Sequence, residues 1–307
     1  MPFATPPSQP TVYQIGAVAH APEMGPIFEA WARTTGLSAG ERPCLERLDI
    51  RPKQGWPAVV GFMAASPAVW GAIVFEEKAQ ILAQGSGHFA EISADARLTG
   101  EINVIAAGAN GLDAGNCGIA AARQSLAALL GTAYWQTHGA AELVVLGAGS
   151  RALALALAAR ELAPGDAPTR TAVVDPDMHG LERIRTALAA TKSPGQQVET
   201  VLADPTLGHI PELARLGAGS VIVHAPRPGE LTDGPPVGPG FVFPQGGIVW
   251  DLDLDPRSDF LRRAGDQARD RDLTLVSGGE HYRISLSLIL AEIFRADPGA
   301  VASGQEV

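Results

Sequence analysis

From Leu143 onward the apolar positions fall into short runs separated by helical or loop stretches. Leu143–Leu146, Thr171–Val174, Val198–Leu202, Ser220–His224, Ile248–Leu252 and Leu273–Val276 are each a strand's length and rich in β-branched residues. Leu153 to Leu162, dense in Ala and Leu, reads as a helix between the first two. Strands alternating in this way predict a doubly wound parallel sheet. The earlier part of the chain is also mixed. Thr11–Val18, Cys44–Ile50 and Gly71–Val74 read as strands, and Glu101–Ile105 as extended. Pro26–Thr35, Trp56–Met63 and Glu76–Gln84 read as helices. Ile119, Ala122, Leu126, Leu129 and Leu130 recur at helical spacing within Gly118–Leu130, and Ile284–Phe294 is a strongly apolar last helix. The Gly/Pro run from Gly234 to Gly240 predicts a surface loop, and residues 1–10 are Pro-rich.

One boundary in this pattern carries chemistry. Leu143–Leu146 runs into Gly147-Ala148-Gly149-Ser150-Arg151-Ala152 and then directly into the Ala/Leu helix. In that context Gly147 permits a tight turn, Gly149 lets backbone approach a pyrophosphate, and Ala152 keeps the helix near the sheet. The first-turn N–H groups, including those at Ala148 to Arg151, then face the anion. Arg151 has three readings: it reaches the pyrophosphate, stacks near adenine, or is solvated. The next strand ends at Asp175, whose carboxylate suits two ribose hydroxyls and repels a 2′-phosphate. Its distance from Gly147 exceeds the usual ~20 residues, which the loop Pro164–Pro168 explains. The expected cofactor is therefore NAD, with NADP left open. A nucleotide-free α/β turn is the bland alternative. The fold expected is an N-terminal α/β substrate domain over 11–118, closed by the helix at 284–294, and a Rossmann domain over 119–283.

Bulk properties narrow the partners. The chain has 307 residues, 46% hydrophobic, with net charge −10 and a pI near 5.2. An acidic chain without clustered Lys and Arg argues against nucleic acid. No apolar run reaches membrane-spanning length and no signal-like start is present, so a cytoplasmic protein with no membrane partner is expected. Two cysteines, Cys44 and Cys117, exclude a Cys-rich metal site, and seven scattered His lack zinc-enzyme spacing; no metal is expected. A homodimer is left open.

Several segments give the chain a resemblance to the shikimate/quinate dehydrogenase family, from Tyr13 to about Phe294. Gly71-Ala72-Ile73-Val74-Phe75-Glu76-Glu77-Lys78 resembles its "VTxPxK" strand and turn. Glu101-Ile102-Asn103-Val104-Ile105 resembles "AxNTV", and Gly111 to Gly118 matches "GxNTDxxG" at its outer glycines. His224-Ala225-Pro226-Arg227-Pro228-Gly229 resembles "NATPxG", and Trp250-Asp251-Leu252 with Pro256 resembles "YDxxYxP". The resemblance implies a nicotinamide-dependent oxidation of a ring hydroxyl, or reduction of the corresponding ketone, in a cleft between two domains. It implies Lys78 as catalytic lysine, Asn103 as a substrate ligand, and His224, Ala225 and Pro226 near the nicotinamide.

The departures are as informative. The family's catalytic aspartate falls on Gly115, with Asp113 two residues earlier. Lys78 then has Asp113 in a shifted register, Asn116 as a hydrogen-bonder, or no partner. Glu76 and Glu77 read as first-turn carboxylates favoured by the helix dipole. The family's carboxylate-binding serines fall on about Glu23 and Gly25, and its late glutamine near Ser285 or Leu286. A carboxylate at Glu23 would repel a substrate carboxylate by about 1–4 kcal/mol at ~4 Å, and would suit a cation or neutral polyol. Its bland reading is a helix cap or solvated loop residue. Asn103 can both donate to and accept from a hydroxyl. His281 and Tyr282 either replace the missing acid–base partner or are helix-start surface groups. Cys117 reads as a small buried filler rather than a nucleophile.

Taken together, the residues predict an NAD-dependent oxidoreductase acting on a small cyclic alcohol, ketone or polyol other than shikimate. Lys78 would be acid/base, and Glu23, Asn103, Asn116 and Asp113 would surround the substrate. A catalytically silent NAD- or metabolite-binding module on the same fold is the first rival. A methylenetetrahydrofolate dehydrogenase-like enzyme is the second; that family has Tyr four residues before its lysine, where Val74 stands here.

Overall fold

The computed structural model describes residues 6–16, 24–48, 55–163, 165–191, 195–204, 213–227, 237–238, 240–255 and 257–297. The chain divides into two compact units, one formed by residues 1–117 with 283–307 and the other by 118–282.

The first unit is built on a six-stranded mixed sheet. Its strands are β1 (Thr11–Ile15), β2 (Cys44–Leu48), β3 (Val69–Val74), β4 (Phe89–Ile92), β5 (Val104–Gly108) and β6 (Gly111–Gly115), in the order β2-β1-β3-β5-β6-β4. β1 is parallel to β2 and β3, whereas β5 is antiparallel to both β3 and β6. Antiparallel pairing brings the end of β3, the start of β5 and the end of β6 to one end of the sheet. Helices α1 (Met24–Thr34), α2 (Trp56–Ala64), α3 (Lys78–Gly85) and α4 (Ala94–Thr99) belong to this unit. Ile15, Trp56, Val60, Ile81, Ile105 and Leu112 share one buried cluster. Trp31 and Phe294 stack elsewhere in the unit with centroids 6.4 Å apart.

Three short elements here escape a reading by apolar period. β4, α4 and β6 are four to six residues long and contain few consecutive apolar positions. The helix expected over Glu76–Gln84 begins only at Lys78, because Glu77 is held left-handed at φ 55° and blocks an earlier start. Glu76 and Glu77 are therefore not first-turn carboxylates.

The second unit is a Rossmann domain. Its sheet is wholly parallel, comprising β7 (Leu143–Leu146), β8 (Thr171–Asp175), β9 (Val198–Leu202), β10 (Val221–His224), β11 (Ile248–Asp251) and β12 (Thr274–Ser277), in the order β12-β11-β10-β7-β8-β9. The order reverses at β7, so the crevice for a ligand lies beyond the carboxyl ends of β7 and β10. β7 and β10 are buried throughout, which explains their continuous apolar reading. α5 (Gly118–Leu130), α6 (Tyr134–Thr137), α7 (Ser150–Arg160), α8 (Met178–Ala190), α9 (Asp259–Gly265) and α10 (Ala268–Arg271) complete it. The final helix, α11 (Gly279–Phe294), starts earlier than its apolar run suggests and joins the two units. No helix among the described residues is long and apolar enough to cross a membrane.

Candidate functional site

In the second unit, β7 ends at Gly147, whose φ of +119° is open to glycine and strained for any other residue. The turn is pinned by its N–H donating to Val174 O at 2.9 Å. A Cβ at Gly147 would stand 2.3 Å from Ala225 O, so β10's exit passes directly over the turn. α7 follows with Gly149 as N-cap and no side-chain cap, leaving its first-turn N–H groups for another acceptor. Ala148, Gly149 and Ser150 line a cavity of about 330 Å³ with Asp177, His179, Gly180, Arg183 and Arg227. A glycine cradle, an uncapped helix start and a roomy cavity fit a dinucleotide pyrophosphate.

Asp175 ends β8 beside this cavity. Burial raises its pKa, opposed by hydrogen bonds from the N–H groups of Asp177 and Ala148 and by the charge of Arg227. The Asp177 N–H donates to Asp175 Oδ1 at 2.6 Å. Arg227, which the sequence reading passed over, pairs with Asp177 and stands 3.8 Å from Asp175. Its position just after β10, at the switch point, was the available signal. Arg227 also overlies the glycines: a Cβ on Gly149 would come within 3.1 Å of its Cγ.

Arg151 requires a correction. Its guanidinium donates to Leu252 O, with Asp251 and Asp253 nearby, and burial lowers its pKa against those two charges. The side chain ties α7 to the segment after β11 and is committed there rather than to a pyrophosphate or adenine. His224, at the end of β10, places Nδ1 2.9 Å from Asp251 Oδ1. Asp251 is wholly buried and also accepts from Asp253 N–H at 2.9 Å and from Ser258 Oγ. The pair fixes the imidazole beside Ala225 and Pro226. His281 is no surface group: it is 8% exposed, lies 2.9 Å from Ser125 Oγ through Nδ1, and meets the Trp250 ring edge-on. Tyr282 is half-buried in the first turns of α11.

The other candidates meet at one end of the first unit's sheet. Val74 N–H donates to Asn103 O, and Asn103 N–H to Gly115 O, each at 2.9 Å. Ile102 N–H reaches Lys78 O at 3.4 Å. Asn103 is buried, and its Oδ1 accepts the Cys117 N–H at 2.9 Å, which leaves the amide N–H groups as the donating side. Asn116 Nδ2 donates to Thr99 Oγ1 at 2.9 Å and Glu101 O at 3.1 Å. The structure thus brings Lys78, Asn103, Gly115 and Asn116 to one place, together with Glu101, which the sequence reading did not single out.

Asp113 does not join them as Lys78's partner. It lies opposite Ala106, whereas Gly115 lies opposite Val104, so Asp113 sits about 7 Å further along the strand. Its carboxylate is bound by Arg295 at 2.6 Å, and Arg295 also donates to Ala107 O. The thiol of Cys117 is pushed up to about 12 by burial, then by Glu292 and Asp95, which suits a filler. Glu23 falls outside the described residues. No group of three or more His, Cys, Asp or Glu among the described residues is placed to hold a metal ion.

The geometry defines a two-unit protein whose second unit is a Rossmann domain, and solved structures share that architecture. No family model and no curated protein matches the sequence. Among the solved structures, quinate dehydrogenase from Corynebacterium glutamicum in complex with NAD has TM-score 0.67 and 15% identity, covering 96% of this chain and 98% of that one. Shikimate 5-dehydrogenase from Thermus thermophilus in complex with NADP(H) and shikimate has TM-score 0.64 and 20% identity, covering 95% and 97%. The ligand-free 5-ketofructose reductase of a Gluconobacter strain has TM-score 0.65 and 20% identity, covering 97% of each chain. The chain has the shikimate dehydrogenase fold.

Proposed function

We propose that this chain is an NAD-dependent oxidoreductase of the shikimate dehydrogenase-like superfamily, acting on a small cyclic alcohol, ketone or polyol other than shikimate. The carrying observation is the Gly147 turn under Ala225, opening into an uncapped helix, with Asp175 ending the neighbouring strand. Asp175 is the basis for NAD over NADP, because its carboxylate accepts ribose hydroxyls and repels a phosphate in their place. When bound, nicotinamide supplies the hydride acceptor or donor. The residues of the first unit supply the rest. Lys78, as neutral amine, takes the hydroxyl proton on Nζ during oxidation and returns it during reduction. Asn103 donates its amide N–H groups to a neighbouring substrate oxygen, its own oxygen being held by Cys117.

A substrate without the family's carboxylate is supported by Gly25, which has no hydroxyl to offer where the resemblance expects a serine. Val74, a fully buried strand residue, counts against the methylenetetrahydrofolate dehydrogenase reading, since a Tyr there would have to enter the core. One observation favours the silent-module reading: Gly115 provides no carboxylate and Asp113 is taken by Arg295. Purified protein should be incubated with NAD or NADH and a panel of cyclic polyols and ketones, following absorbance of the reduced cofactor. Turnover that Lys78→Met abolishes supports the enzyme. Nucleotide binding with no turnover across the panel supports the silent module.

A further inference from the structure

We propose that Glu101 is the positioning carboxylate of Lys78, taking over the task for which the resemblance expects an aspartate at Gly115. The proposal deepens the reading of Lys78 as acid/base and rests on it.

Gly115 has no carboxylate, and a side chain there would crowd its neighbour. A Cβ on Gly115 would meet Val104 Cγ1 at 2.8 Å, so an aspartate there would require the valine opposite to shift. Asp113, in the middle of the strand, is bound to Arg295. Among the described residues the buried carboxylates are Glu101, 4% exposed, and Asp251, which belongs to the other unit. A carboxylate is almost never buried unless a cation or several donors accompany it. Glu101 is neither on a helix cap nor in a strand ladder. It stands at the entry to β5, two residues before Asn103 and immediately before Ile102, whose N–H reaches the carbonyl of Lys78.

Its backbone carbonyl is tied to the residue that follows Gly115. Asn116 Nδ2 donates to Glu101 O at 3.1 Å, and Thr99 Oγ1, which donates to Asp95 O at 2.7 Å, stands 3.3 Å from Glu101 O. Neither Lys78 nor Glu101 is without a partner in the structure. Ile102, the residue between Glu101 and Asn103, is fully buried in the core cluster. Glu101 and Asn103 flank it at the sheet end where α3 begins at Lys78. Through Asn116 the same position that follows the absent aspartate now braces Glu101. The carboxylate therefore holds the amine in place and balances its charge when it carries the proton.

The test reads the amine itself and needs neither substrate nor cofactor. The pH dependence of Lys78 acylation by acetic anhydride is followed by peptide mass spectrometry in the full-length protein, E101Q, E101D, E76Q and E77Q. Loss of a carboxylate beside an ammonium lowers its pKa, so the Lys78 midpoint in E101Q should fall by about one pH unit or more. E101D should keep most of the original midpoint, and E76Q and E77Q should move it less than E101Q. An unchanged midpoint in folded E101Q, or an equal shift in E76Q or E77Q, overturns the proposal. Should E101Q fail to fold, thermal unfolding of E101L, K78M and the double variant decides. A double variant that melts above E101L supports the pair, and additive losses overturn it. A separate NAD titration of the unmodified protein reports on the oxidoreductase reading, so the two can fail independently.

Discussion

Gly147→Ala perturbs the turn on which the proposed nucleotide site is built. The new methyl group meets two penalties. It must adopt φ near +119°, a strain worth about 1–3 kcal/mol for a non-glycine residue. It must also displace Ala225 O, only 2.3 Å from the ideal Cβ position. Overpacking of this kind costs about 1–3 kcal/mol, and a backbone atom yields less readily than a side chain. Together these give about 2–6 kcal/mol, which lowers Tm by roughly 5–20 °C for a unit of this size. The displaced segment includes Ala225 and Pro226, so NAD affinity should fall by at least about tenfold, or roughly 1.4 kcal/mol. Gly139→Ala is the matched control: its Cβ meets nothing within 4 Å and its φ is not positive. That variant should stay within about 0.5 kcal/mol of the parent. Thermal unfolding by circular dichroism, with NAD titrated into each protein by fluorescence, measures both effects. If Gly147→Ala melts with the parent and binds NAD equally well, the close approach of β10's exit to this turn is not real and the cradle argument fails.

Three further outcomes follow from the same geometry. Asp175→Asn removes a charged acceptor worth about 1.5–3 kcal/mol, so NAD binding should weaken by about ten- to a hundredfold while NADP binding weakens less; equal NAD affinity in calorimetry would contradict the ribose role. Cys117, with its thiol raised to about 12, should resist iodoacetamide at pH 8 in the folded protein and react after unfolding. The native state keeps that thiol neutral above the ordinary thiol pKa, so Cys117 detracts from stability as pH rises from about 8.5 toward the folded value, and not below it. Asp113→Asn breaks a partly exposed ion pair with Arg295, so urea unfolding should show a loss of about 1 kcal/mol or less, with the Lys78 acylation midpoint unmoved; a moved midpoint would return Asp113 to the lysine's surroundings.

The Rossmann half was legible because its four central strands, β7, β8, β10 and β11, are buried on both faces. Val144, Val173, Ile222 and Val249 are fully buried, and runs of such residues stand out without any need for alternation. The first half was less legible. β6 is Gly-Leu-Asp-Ala-Gly, a composition that reads as a turn, and only its pairing with β5 and β4 makes it a strand. α4 has six residues and is held by the Ser93 cap and by its place under the sheet rather than by an apolar face. At the candidate site, long-range partners decided what local pattern did not. Arg151 sits in the glycine motif but answers to Leu252, a hundred positions on in the chain, and His281 answers to Ser125. Glu101 is invisible to a motif search because the family pattern has an alanine there, and only its burial marks it.

The proposed activity requires that the second unit take a nicotinamide dinucleotide. Isothermal calorimetry of the purified chain against NAD and, separately, NADP measures this directly. The structure leads to a saturable one-to-one heat with NAD and weaker binding of NADP, set by Asp175. An absence of heat with both nucleotides, at protein concentrations adequate for a micromolar complex, contradicts it.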